Sequence, residues 1–197
     1  MVLYVVNVTT DSTLYANLPM ELIKNNKVKY HELWSHLSRI YSGDVLNHLD
    51  AVFTRLFIYR GSEVIAYAYF RENAVYSAIK YTLGLGGEEV ELAIKPLAVV
   101  FHENLITVYT GTVTKKVKDN RKQVRTLINY EVIEPGKTGL MFFHITNREN
   151  FEKLRENLPF IWLGKRKNRG AGKVIIEWES LKETQTNSMI KYLRQLK

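Results

Sequence analysis

Apolar and β-branched residues run almost unbroken over positions 2–8 and give way to a polar stretch at 9–13, which predicts a strand entering a loop. A period of three and four follows. Leu33, Leu37, Ile40 and Tyr41 share one face of a helix expected over 30–41, and Ser42-Gly43-Asp44 interrupts it. Residues 45–53 predict a second short helix. The apolar runs 56–59 and 64–70 flank Arg60-Gly61-Ser62, as two strands joined by a hairpin turn would. Asn73 is placed to cap a helix through Leu83, and the glycines at 84, 86 and 87 stop it.

Further along, 90–94 and 97–101 predict strands, followed by a long pair at 106–117 and 124–133. The connection of that pair carries Lys115, Lys116, Lys118, Arg121, Lys122 and Arg125 against the single Asp119. A protruding basic hairpin is expected, either a solvated turn that keeps a sheet edge soluble or a finger that meets phosphates. The last third is the most regular. A strand at 140–145 leads to Thr146 or Asn147 as N-cap of a helix through Leu158, with Phe151, Leu154 and Leu158 on one face and Pro159 ending it. Strands at 160–163 and 174–178 then flank a glycine-rich loop, and a terminal helix over 186–196 closes the chain.

Strand, helix, strand, loop, strand is most of a ferredoxin-like unit, in which helices cover one face of an antiparallel sheet. The first third reads the same way. The expected fold is therefore α+β, with two ferredoxin-like units in tandem, residues 1–100 and 101–197, although no internal repeat appears in the sequence.

Composition narrows the function classes. The chain has 197 residues, 46% hydrophobic, enough for a real core. It has no cysteine, which removes disulfides, thiolate metal sites and a cysteine nucleophile, and fits a reducing, cytoplasmic setting. The apolar N-terminal run is too short to span a bilayer and lacks the features of a signal peptide, so no membrane partner is expected. A formal charge of +8 and a pI near 9.5 favour a polyanionic partner.

The charge is concentrated at residues 163–174, Leu-Gly-Lys-Arg-Lys-Asn-Arg-Gly-Ala-Gly-Lys-Val. Glycine adopts positive φ cheaply, so Gly164, Gly170 and Gly172 let backbone N–H groups approach a sugar-phosphate chain. Lys165, Arg166, Lys167, Arg169 and Lys173 would neutralise its phosphates, with Asn168 among them. A mononucleotide P-loop is excluded by context: Gly172-Lys173 runs into a strand pattern, and Gly136-Lys137-Thr138 lacks the preceding glycine at the required spacing.

Leu163 to Val174 resembles the glycine-rich loop of the RAMP superfamily of CRISPR-associated proteins, and the preceding strand with Phe142, Phe143, His144 and Ile145 and the helix after it stand where that fold places them. The resemblance covers about the last quarter of the chain. Ala171 occupies a position where many members carry an aromatic, so no subfamily is fixed. The resemblance implies CRISPR RNA and other effector subunits as partners, with no cofactor and no small-molecule substrate.

Catalysis is the alternative. Processing nucleases of that superfamily use an early histidine, and His31 and His36, near Lys29, Tyr30 and Tyr41, are chemically suited to activate a 2′-hydroxyl without metal. On an amphipathic helix, however, a histidine is more often a surface or boundary residue, and that is the stronger reading of both. Asp11 stands in the loop after the first strand, where it is either a catalytic carboxylate or an ordinary turn residue of Asp-Ser-Thr. No metal-ligand spacing links His31, His36, His48, His102 and His144. Trp34, Trp162 and Trp178 are candidates for base stacking or for the core. A third possibility is a basic scaffold for acidic protein partners.

Overall fold

The computed structural model describes residues 2–15, 18–19, 49–52, 55–60, 63–84, 86–116 and 123–196. Seven strands form the main sheet: β1 (Tyr4–Thr10), β5 (Arg55–Arg60), β6 (Glu63–Arg71), β7 (Ile94–His102), β10 (Thr138–Ile145), β11 (Phe160–Trp162) and β12 (Lys173–Glu183). They lie in the order β11-β12-β1-β10-β7-β6-β5, each neighbouring pair antiparallel. A second sheet joins β2 (Leu14–Tyr15), β3 (Leu18–Pro19), β4 (Leu49–Val52), β8 (Ile106–Lys116) and β9 (Gln123–Ile133). Its order is β2-β9-β4-β3, with β8 also on β9. The fold is thus mixed α/β with antiparallel sheets, apart from one parallel pair, β4 with β9.

Helices α1 (Glu72–Leu83), α2 (Gly87–Ala93) and α3 (Arg148–Asn157) cover one face of the main sheet, and α4 (Met189–Gln195) covers part of the other. Alternation in β1 explains the two-sided burial: Val6 and Val8 enter the helix-side core, whereas Val5 faces the α4 side with Leu3. α3 forms because Asn147 caps it, its Oδ1 accepting from Asn150 N–H at 3.0 Å. Its Phe151 then meets Phe143 and Trp178, with ring centroids 5.8 Å away in each case. Aromatic pairs of this kind contribute about 0.5–1.5 kcal/mol each beyond the area they bury. They pin α3 to β10 and β12.

Several local expectations change. Residues 90–94 are not a strand: Gly86 starts α2, where the Glu89 carboxylate accepts from Gly86 N–H at 3.2 Å, and only Ile94 begins β7. Asn73 does not cap α1, because the helix already starts at Glu72 behind Arg71. Residues 49–52 pair as a strand rather than continuing a helix; the remainder of the 45–53 expectation, the helix over 30–41 and the turn at 61–62 fall outside the described residues. Position 100, the expected end of the first half, lies inside β7, and β1 is held between β10 and β12.

Candidate nucleic-acid interface

The glycine loop joins β11 to β12 at one edge of the main sheet. Its base is closed by Leu163 N–H donating to the Gly172 carbonyl at 2.7 Å, and it is tied down by Gly172 N–H donating to the Thr13 carbonyl at 2.9 Å. The fit leaves no room for side chains. A Cβ on Gly172, at φ +84°, would lie 2.0 Å from the Leu163 carbonyl oxygen, and one on Gly164, at φ +77°, would lie 2.5 Å from that of Tyr15.

Above this base the tip is a single 3-10 turn, Lys167–Arg169. Arg166 enters it at φ +64°, a conformation uncommon outside glycine, and Gly170 leaves it at φ +75°. Arg169 N–H donates to the Arg166 carbonyl at 2.9 Å and Gly170 N–H to that of Lys167 at 3.0 Å. The loop is a folded turn, not a slack one.

Its cations divide into two sets. Lys165, with Asn168 and Arg169 of the tip, is exposed. Arg166, Lys167 and Lys173 are half-buried, and each lies against an aromatic ring: Arg166 over Tyr15 with 4.9 Å to the centroid, Lys167 over Tyr81 with 5.0 Å, and Lys173 over Phe160 with 5.0 Å. Such contacts contribute about 0.5–1 kcal/mol at exposed sites. Burial pushes the Lys167 ammonium below its usual range. Lys173 Nζ also pairs with the Asp11 carboxylate at 3.0 Å, so that candidate carboxylate faces a loop cation.

The other sequence candidates are distributed as follows. Lys115, Lys116 and Arg125 belong to the β8–β9 hairpin, whose register runs from Ile106↔Ile133 to Lys116↔Gln123. Lys118, Arg121 and Lys122, like His31, His36, His48 and Trp34, lie outside the described residues. Trp178 is a core residue whose Nε1–H donates to the Leu158 carbonyl at 2.7 Å. Lys173 begins β12, in keeping with the strand that argued against a P-loop. Among the described residues no three His, Asp or Glu side chains gather as a metal site, and no helix is long and apolar enough to cross a membrane. Sequence reasoning missed Tyr15 and Tyr81. Tyr81 was detectable as the aromatic left off the Val75, Ala78, Ile79 face of α1.

An antiparallel sheet with helices on both faces and a basic turn at its edge is the class of protein these observations define. Comparison with solved structures agrees at the level of fold. The chain aligns over 92% of its length, at 13% identity and TM-score 0.53, with a chain from the cryo-EM structure of type III-B Cmr-beta bound to cognate target RNA; it spans 60% of that chain. A chain of a type IV-B CRISPR complex aligns at 12% identity and TM-score 0.47, with 99% of each covered. No protein-family model and no curated protein matches the sequence.

Proposed function

We propose that this chain is an RNA-binding subunit of a CRISPR-type effector ribonucleoprotein, with the 164–173 loop gripping the RNA backbone. The observation that carries the reading is the division of the loop's cations: half-buried Arg166, Lys167 and Lys173 brace the turn while Lys165 and Arg169 project from it. A braced turn holds its outward charges in place before a polyanion arrives, which lowers the ordering cost of binding. The net charge of +8 and the fold likeness to a chain from an RNA-bound assembly support the same reading.

The fold is read within this proposal as ferredoxin-like. β1, helices α1 and α2, β7, β10, α3 and β12 follow one another as β-α-β-β-α-β, and their sheet order β12-β1-β10-β7 corresponds to fourth, first, third, second. One such unit, with β2 to β6, β8, β9 and β11 as additions, then runs through both expected halves. Lys115, Lys116 and Arg125, at the far ends of β8 and β9, are further candidates for phosphate contact. Assembly with other effector subunits and a cytoplasmic setting complete the proposal.

The test is RNA affinity against salt. Each phosphate neutralised on a single strand contributes about −0.7 to the slope of log affinity on log salt. Replacing Lys165 and Arg169 together by alanine should flatten that slope by about 1.4, while melting changes by less than about 0.5 kcal/mol because both side chains are exposed. An unchanged slope and affinity would remove the loop from the interface.

A further inference from the structure

The exposed large apolar side chains include Val2, Tyr81, Leu92, Ile175 and Ile190, and of these Tyr81 is the aromatic, 58% exposed. It stands in the last turn of α1, directly beside the glycine loop. Its backbone is fixed on three sides. Ala78 and Ile79 are buried beneath it, Gly84 ends the helix at φ +65°, and Thr82 is clasped between two partners. The Thr82 hydroxyl donates to the Ala78 carbonyl at 2.7 Å and accepts from Trp162 N–H at 3.0 Å, which ties this turn to the strand that feeds the loop. An aromatic on so fixed a backbone, with a loop ammonium 5.0 Å from its centroid, leaves more than half of its surface in water.

We propose that Tyr81 is a nucleobase-stacking residue, and that the loop's ligand is single-stranded RNA with at least one unpaired base laid on this ring. The inference rests on the RNA-binding reading of the loop. An exposed ring on a fixed backbone offers a π-face that any base can use. Lys167, its ammonium 5.0 Å from the ring centroid, supplies positive charge for a phosphate that flanks such a base. Bases within an A-form duplex are stacked on each other and shielded by a deep, narrow groove, so a duplex does not satisfy the ring. Stacking and charge neutralisation then meet where the last turn of α1 faces the loop, the combination by which single strands are held without base-specific hydrogen bonds.

Fluorescence anisotropy with the full chain separates the parts. The probes are a single-stranded RNA oligonucleotide, a duplex of the same length, and an abasic ribose-phosphate strand of the same length. Tyr81→Ala should weaken binding of the base-bearing single strand roughly fivefold to a hundredfold, with an unchanged salt slope, and Tyr81→Phe should retain it. On the abasic strand wild type and Tyr81→Ala should bind alike. Equal affinity of the two proteins for the base-bearing strand, equal losses on both strands, or a duplex bound as tightly as the single strand would overturn the assignment. The Lys165→Ala, Arg169→Ala variant serves as the control for the underlying reading. If it flattens the salt slope while Tyr81→Ala changes nothing, stacking alone falls; if it changes nothing, the RNA site itself falls.

Discussion

Gly170 and Gly172 occupy nearly the same backbone region, φ +75° and +84°, yet alanine should affect them very differently. At Gly170 a Cβ meets nothing within 4 Å, so the cost is the left-handed conformation, about 1–2 kcal/mol, less about 0.4–1 kcal/mol for the freedom alanine removes from the unfolded chain. The net is about 1 kcal/mol. At Gly172 the same cost applies, and the new carbon falls 2.0 Å from the Leu163 carbonyl oxygen, where ordinary contact begins at 3.4 Å. Backbone must therefore move by more than an ångström. The two bonds made by Gly172, to Leu163 N–H and to the Thr13 carbonyl, break with it, at about 1 kcal/mol each. The total is about 3 kcal/mol. For a chain of this size, Gly170→Ala should lower the melting temperature by about 2–4 °C and Gly172→Ala by about 6–12 °C in a calorimetric scan. Equal shifts for the two variants would refute the argument that the loop base is closed by backbone contact.

Asp11→Asn removes the carboxylate 3.0 Å from Lys173 Nζ. Stability should change by less than about 1 kcal/mol, since the pair is partly exposed and Phe160 still holds Lys173 in place, while RNA binding should tighten as a negative charge leaves the loop, with a salt slope steeper by up to about 0.7; weaker binding in an anisotropy titration contradicts the placing of a phosphate beside Lys173. Trp178→Phe keeps the aromatic contacts to Phe143 and Phe151 but strands the Leu158 carbonyl, and chemical denaturation should show a loss of about 1–3 kcal/mol.

What the sequence made legible was whatever is decided within a few residues. The cap of α3 at Asn147, its stop before Pro159, and the pairing of β5 with β6 and β8 with β9 all follow from neighbours along the chain. Residues 90–94 misled for the same reason. An apolar run of that length suits strand or helix equally, and the deciding contact, from the Glu89 carboxylate to Gly86 N–H, is a matter of geometry. Sheet order was beyond reach, because β1 pairs with β10 and β12 across more than a hundred residues, and no local pattern names those partners. The candidate site divides in the same way. Its glycines and cations stand in one segment, but Tyr15, Tyr81 and Asp11 reach it from two other parts of the chain and determine which cations turn inward.

That division also changes how the glycines are understood. From sequence they suggest a pliant loop that wraps a phosphate chain, yet Gly164 and Gly172 sit where backbone crosses backbone, and only Gly170 has open space around it. Two of the three therefore serve tightness rather than mobility. A slack loop bearing five cations would lose conformational freedom in full when it met a polyanion, at about 1–2 kcal/mol for each residue fixed. Here Leu163, Gly172 and Thr13 close the base, and three aromatic rings hold three of the cations, so most of that ordering occurs as the protein folds. The exposed Arg169 then needs only its own side-chain rotamer fixed on binding. Affinity at such a site should depend more on the integrity of Gly172 than on any single outward cation.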